Sequence, residues 1–202
     1  MTTSQKSTRE LYEHLLQVIS SQRFLLKQSL GNEVPFFICP YPPSNHLEIN
    51  KMRENLIKEL QNKGIIILDV NLYKLCIDLL KERGTWGRLL QKETSLEKSR
   101  LKEMLINTLD SERYLIPQIA RLMVEHNGYH VMFLSGVGEV YPYIRTHTIL
   151  NNLQSTAQQQ PTVLFFPGNY THSPSAGTFL DLFGRLQDDQ YYRAFNILDI
   201  DN

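Results

Sequence analysis

Leu11, Leu15, Val18 and Ile19 recur at the three- and four-residue spacing that places side chains on one face of an α-helix, and Leu25 and Leu26 extend the stripe toward Gly31. The spacing predicts an amphipathic N-terminal helix over residues 8–30. Residues 34–39 are an apolar run closed by Pro40, Tyr41, Pro42 and Pro43, the pattern of a buried strand ending in a rigid loop. Met52, Leu56, Ile57 and Leu60 form a second helical stripe, with Gly64 placed to end it. Residues 65–70 are nearly all branched and apolar, which predicts a strand covered on both faces, as in the middle of a parallel sheet. Asn71 can cap the next helix, whose apolar face is Leu72, Leu75, Cys76, Leu79 and Leu80.

No further strand pattern appears until Tyr129. Helical stripes fill the interval, first Leu101, Met104, Leu105 and Leu109, then Leu115, Ile119, Leu122 and Met123. A crossover between parallel strands needs only about a dozen residues, so residues 85–127 read as a helical insertion. Beyond it the pattern predicts a strand at 129–134, a helix at 142–153, a strand at 161–166, a short helix at 177–186 and a last strand at 192–198. Strands alternating with helices imply right-handed crossovers packed on both sides of a sheet. The expected fold is an α/β three-layer sandwich over residues 1–202, a single domain with a mainly parallel sheet of about five strands.

Composition narrows the function classes. Hydrophobic residues make up 42% and charged residues 21% of the 202 residues, ordinary globular usage that excludes global disorder. Lys plus Arg and Asp plus Glu number 21 each, so the basic excess of a dedicated nucleic-acid binder is missing. Cys39 and Cys76 make neither a disulfide framework nor a zinc-type spacing, which fits a reducing compartment. The polar first ten residues and the lack of any apolar run of membrane-spanning length point to the cytoplasm, with no membrane association.

In open α/β sheets, ligands bind beyond the carboxyl ends of the strands. After the third predicted strand the chain reads Ser135, Gly136, Val137, Gly138, Glu139, a glycine-rich turn into a helix. A phosphate loop needs a lysine after its second glycine, and Glu139 stands there instead, so no nucleotide cofactor is expected. Asp69 after an isoleucine run has the form of a magnesium aspartate, but without a phosphate loop it reads as a strand-end capping or turn residue. His126 and His130 have ligand spacing, yet Asn127 and Gly128 interrupt the helix between them, and no metal is expected. Ser135 lacks the glycines of a nucleophile elbow. No catalytic set emerges.

Position alone selects candidate partner-binding residues. Glu139, Tyr141 and Arg145 border one strand-end loop; Asn169, Tyr170 and His172 border the next, in the polar segment 166–173. Together they are expected to form one surface. The alternatives are an internal Glu139–Arg145 pair and a shaped turn at 166–173. Arg88, Lys92, Lys98 and Arg100 form a candidate basic face that could steer a partner or DNA, or could simply be a solvated helix side.

Three blocks carry a family likeness. Residues 23–38 (RFLLKQSLGNEVPFFI), 136–153 (GVGEVYPYIRTHTILNNL) and much of 161–197 (PTVLFFPGNYTH, then FLDLFGRLQDDQYYRAFNI) resemble the BrxB family of the BREX bacteriophage-exclusion systems. The resemblance implies association with other BREX proteins: first a PglZ-like protein of alkaline-phosphatase fold, then a BrxC-type ATPase and a PglX-type DNA methyltransferase. It carries no catalytic residues. The expectation is a non-catalytic adaptor that meets DNA indirectly or weakly; the alternatives are a degenerate nucleotide-binding module and a DNA-contacting subunit.

Overall fold

Ser7 starts the first helix, α1 (Thr8–Ser20), through a reciprocal cap in which its hydroxyl accepts from the Glu10 backbone and its own backbone N–H donates to the Glu10 carboxylate. The computed structural model describes residues 6–27, 35–153, 155–173, 177–187 and 194–200. Helix α1 stops at Ser21, whose hydroxyl donates to Val18 O at 2.7 Å and also caps α2 (Gln22–Leu25). The continuous helix expected over 8–30 is therefore broken where a serine side chain competes for backbone bonds. Its end, residues 28–30, lies outside the described residues.

Strand β1 (Phe36–Tyr41) leads into α3 (His46–Asn62), β2 (Ile67–Asn71) and α4 (Leu72–Glu82). The insertion follows as α5 (Trp86–Glu93), α6 (Lys98–Thr108), a π-helical turn at Ser111–Leu115, and α7 (Ile116–Glu125). Then come β3 (Val131–Ser135), α8 (Val137–Val140), α9 (Thr146–Leu153), β4 (Thr162–Ser173), β5 (Gly177–Leu182), β6 (Leu186–Gln187) and β7 (Phe195–Asn196). The main sheet runs β2-β3-β4-β1-β7 with every pair parallel, and β5 and β6 extend it as an antiparallel hairpin on the far half of β4. The chain crosses from β1 to the far edge at β2 and returns through β3 to β4. Reversed travel with one handedness requires opposite faces: α1 and α3 pack on one side, and α4, α7, α8 and α9 on the other.

Each face has its own apolar cluster. Leu15, Leu56, Phe133 and Phe165 belong to the first, and Leu72, Leu115, Leu134 and Phe166 to the second. This is the three-layer α/β sandwich that the alternation predicts. Among the described residues, no helix is long and apolar enough to cross a membrane.

Four expectations need correction. Strand β2 is an edge strand, although both of its faces are covered, Ile67 by one cluster and Leu68 and Val70 by the other. Two-sided burial reports helices above and below, which an edge strand can also have. Residues 177–182 are strand β5 and not a helix: Thr178, Leu180 and Leu182 are buried while the residues between them are half-exposed, a period of two. Correspondingly, β4 runs on to Ser173, so residues 167–173 pair as a strand where a loop was expected. The last strand contracts to Phe195–Asn196 and is followed by a 3-10 turn at Ile197–Asp199; residues 192 and 193 lie outside the described residues.

Candidate partner-binding sites

The carboxyl ends of β1, β2 and β3 carry a chain of polar contacts. Tyr41 ends β1, and the Pro42–Pro43 turn brings His46 back beside it, with the two rings stacked 6.2 Å apart. His46 Nδ1 lies 3.0 Å from the Tyr41 hydroxyl, and Nε2 lies 3.0 Å from the Asn50 amide one helical turn on. The Asn50 Nδ2 amide can only donate, so Nε2 accepts from it and the proton of the neutral ring sits on Nδ1, donated to the Tyr41 oxygen; Nε2 also lies 4.0 Å from Glu139 Oε1. Burial, with Cys39 and Glu139 adding to it, pushes the Tyr41 hydroxyl well above the ordinary phenol range. The hydroxyl therefore stays protonated at neutral pH. Beside it, the Arg53 guanidinium, buried under α3, pairs with Asp69. Burial raises the Asp69 carboxyl above its usual range, and the pull of Arg53 only partly opposes it.

Asp69 thus sits within β2 and anchors α3, while the α4 cap is Asn71, whose Oδ1 accepts from Lys74 N at 2.9 Å. Asn71 also donates to Ser135 Oγ at 3.2 Å, and Ser135 is buried. The two glycines after Ser135 are packing residues. Gly136 holds φ +87°, where a Cβ would press on the backbone nitrogens of Leu72 and Tyr73, and a Cβ on Gly138 would collide with Phe183 and Pro167. The turn that looked phosphate-like is filled by its own chain. Both cysteines are buried and free, their thiols pushed up to about 12 by desolvation, so neither is a thiolate nucleophile at neutral pH.

The six loop candidates divide between two places. Glu139 faces His46, while Arg145 stacks 5.3 Å over the Tyr141 ring. Tyr141 in turn meets Phe183 edge-on at 6.3 Å, and the adjoining Gly184 turn approaches the Asn169 amide. These four residues share the rim of the sheet. Tyr170 and His172 instead line a cavity of about 610 Å³ between α1, α2, β7 and the hairpin half of β4. The Tyr170 hydroxyl donates to Ala194 O at 3.0 Å, and His172 Nδ1 meets Thr178 Oγ1 at 3.1 Å. Alternation along β4 separates Asn169 from its neighbours. Sequence reasoning missed Tyr41, His46 and Arg53; the paired prolines after β1 marked the turn, but no local pattern linked it to β2 and α8.

The insertion carries a third surface. Helix α5 is strongly amphipathic yet has no buried residue: Trp86 and Leu89 are partly covered, and Leu90 is 48% exposed. With Tyr73, Leu101 and Tyr143 they border an apolar groove of about 160 Å³ under the insertion. Arg88 and Lys92 of α5 and Lys98 and Arg100 of α6 are all exposed.

The fold and these surfaces define a mixed α/β protein with a mainly parallel sheet and helices on both faces. The family described as BREX protein BrxB matches residues 68–197. A protein named BREX protein BrxB from Bacillus cereus (strain H3081.97) is 34% identical over 197 residues, covering 94% of this chain and 97% of that protein. Another so named, from Escherichia coli O9:H4 (strain HS), is 28% identical over 180 residues, covering 89% of this chain and 86% of that one. The chain belongs to the BrxB family and is a component of a BREX phage-defence system. No solved structure matches it significantly.

Proposed function

We propose that this BREX component is a non-catalytic adaptor, a single α/β unit that works in the cytoplasm by holding other BREX proteins together. The observation that carries the reading is α5: a helix with a strong apolar face and no buried residue, whose Trp86 and Leu89 are only partly covered and whose Leu90 is exposed, keeps part of that face for another protein. The first partner is the PglZ-like protein of alkaline-phosphatase fold, followed by the BrxC-type ATPase and the PglX-type methyltransferase. The docking surfaces are the groove beside Trp86 and Leu90 and the rim formed by Glu139, Tyr141, Arg145 and Asn169. DNA is reached through these partners.

Copurification of tagged protein with its operon-encoded PglZ-like and ATPase proteins, followed by light-scattering mass at low and moderate salt, tests the proposal. Coelution that is lost on Leu90→Asp substitution supports it. Recovery of a lone 23.6 kDa chain under both conditions overturns it. The exposed Arg88, Lys92, Lys98 and Arg100 favour a second reading, direct contact with DNA. That reading requires binding that weakens steeply with salt and is abolished when the four residues are neutralised.

A further inference from the structure

The cavity beside β7 plays no part in the adaptor reading, yet it has the build of a ligand site. Its volume of about 610 Å³ falls inside the range of roughly 300 to 1,000 Å³ typical of small-molecule pockets. The floor is aromatic. Phe24 packs on Phe37 with ring centroids 4.7 Å apart, Phe37 on Phe195 at 6.1 Å, and Tyr170 supplies a further ring in the lining. Such surfaces accept a planar ring by offset or edge contact.

Polar groups in the lining divide by kind. Gln17 and Asn196 contribute side-chain amides; Asn196 Oδ1 already accepts from Leu198 N at 3.2 Å, which leaves its NH₂ group to donate. Amide donors and acceptors suit the edge of a nucleobase. Arg23 on α2 and Lys27 just beyond it contribute two cations to the lining, with Asp199 as its acid. Lys27 Nζ donates to Gln158 O at 3.1 Å, which holds the ammonium in place and leaves it further donors. A guanidinium and an ammonium in one lining suit a phosphate.

We propose that this cavity binds a nucleoside monophosphate, its base against Phe37, Phe195 and Tyr170 and its phosphate at Arg23 and Lys27. The site is separate from the glycine turn at Gly136, and it stands whether or not the adaptor reading does.

Calorimetry and thermal shift on the full-length chain test it, with adenosine 5′-monophosphate, guanosine 5′-monophosphate, adenosine and inorganic phosphate as probes. At least one monophosphate is expected to bind about tenfold more tightly than adenosine or phosphate alone and to raise the melting temperature. The R23Q/K27Q double variant should melt like the wild type, lose about tenfold in monophosphate affinity and keep its adenosine affinity. Phe195→Leu, which keeps the apolar volume but removes a ring, should weaken the nucleotide and adenosine alike. Absence of heat and of thermal shift with both monophosphates at millimolar concentration overturns the proposal. So does monophosphate binding that R23Q/K27Q leaves intact.

Discussion

Strand β3 and helix α5 are both rich in large apolar residues, and the protein treats them in opposite ways. Every residue of β3 is buried, with Met132, Phe133 and Leu134 fully enclosed, whereas α5 has no buried residue. A strand at the second position of a parallel sheet meets neighbours on both edges and helices on both faces, so its burial is a property of the fold. Helix α5 lies outside the crossover the sheet requires, packs on α4 and borders a groove shared with α6 and Tyr143. Apolar side chains inside the sheet stabilise the chain; on α5, Trp86 and Leu89 pack only partly against it and Leu90 stays exposed.

Substitutions can break this contrast, beginning with the largest effect. Phe133→Ala removes a fully enclosed ring packed edge-on against Phe165 at 5.2 Å and should cost about 3–5 kcal/mol in chemical denaturation. A loss below about 1 kcal/mol would mean that the sheet core is not the stabilising region. Arg53→Met tests the polar rim. It leaves the Asp69 carboxylate, 34% exposed at its side chain, without its cation and should cost about 2 kcal/mol at neutral pH, less than for a fully buried pair. The carboxyl of Asp69, already raised by burial, then rises further. A folded-state value above the unfolded one means that the native chain holds the proton more tightly, so the deficit shrinks as pH falls through the raised value and is fully present above it. A deficit that grows with acidification would contradict this assignment.

Asn71→Ala removes the α4 cap and the bond to Ser135 and should cost about 1 kcal/mol, read as a lower denaturation midpoint with unchanged slope. The smallest stability change is expected on α5, where Leu90→Ser should stay within about 0.5 kcal/mol of wild type. The same substitution should abolish coelution with the PglZ-like partner. If Leu90→Ser destabilised the chain as Phe133→Ala does, the contrast between the two regions would disappear.

How far each element was legible depended on whether its signal was local. The stripe at Leu11, Leu15, Val18 and Ile19 marks α1 because all four side chains meet the same neighbours. Its stop at Ser21 is also written locally, in a hydroxyl able to cap one helix and close another. Strand β5 alternates Thr178, Leu180 and Leu182 with half-buried residues, a period-two signal hidden by the helix-compatible leucines. The rim reads differently. Glu139, Tyr141, Arg145 and Asn169 could be chosen from their place after strands, but their contacts with His46 and the Phe183–Gly184 turn join segments far apart in the chain.

The sequence by itself determined the layer architecture, because strands apolar on both sides and helices apolar on one side have few stable ways to pack. It also determined family membership, through residues whose order needs no coordinates. Only the tertiary structure decided that β2 is an edge strand, that Arg53 pairs with Asp69, that Tyr170 and His172 open onto a cavity shared with Arg23 and Phe195, and that no residue of α5 is fully buried. The physical reason is common to all four. Burial and pairing are sums over neighbours brought together by chain closure, and no short window of sequence contains both sides of such a contact.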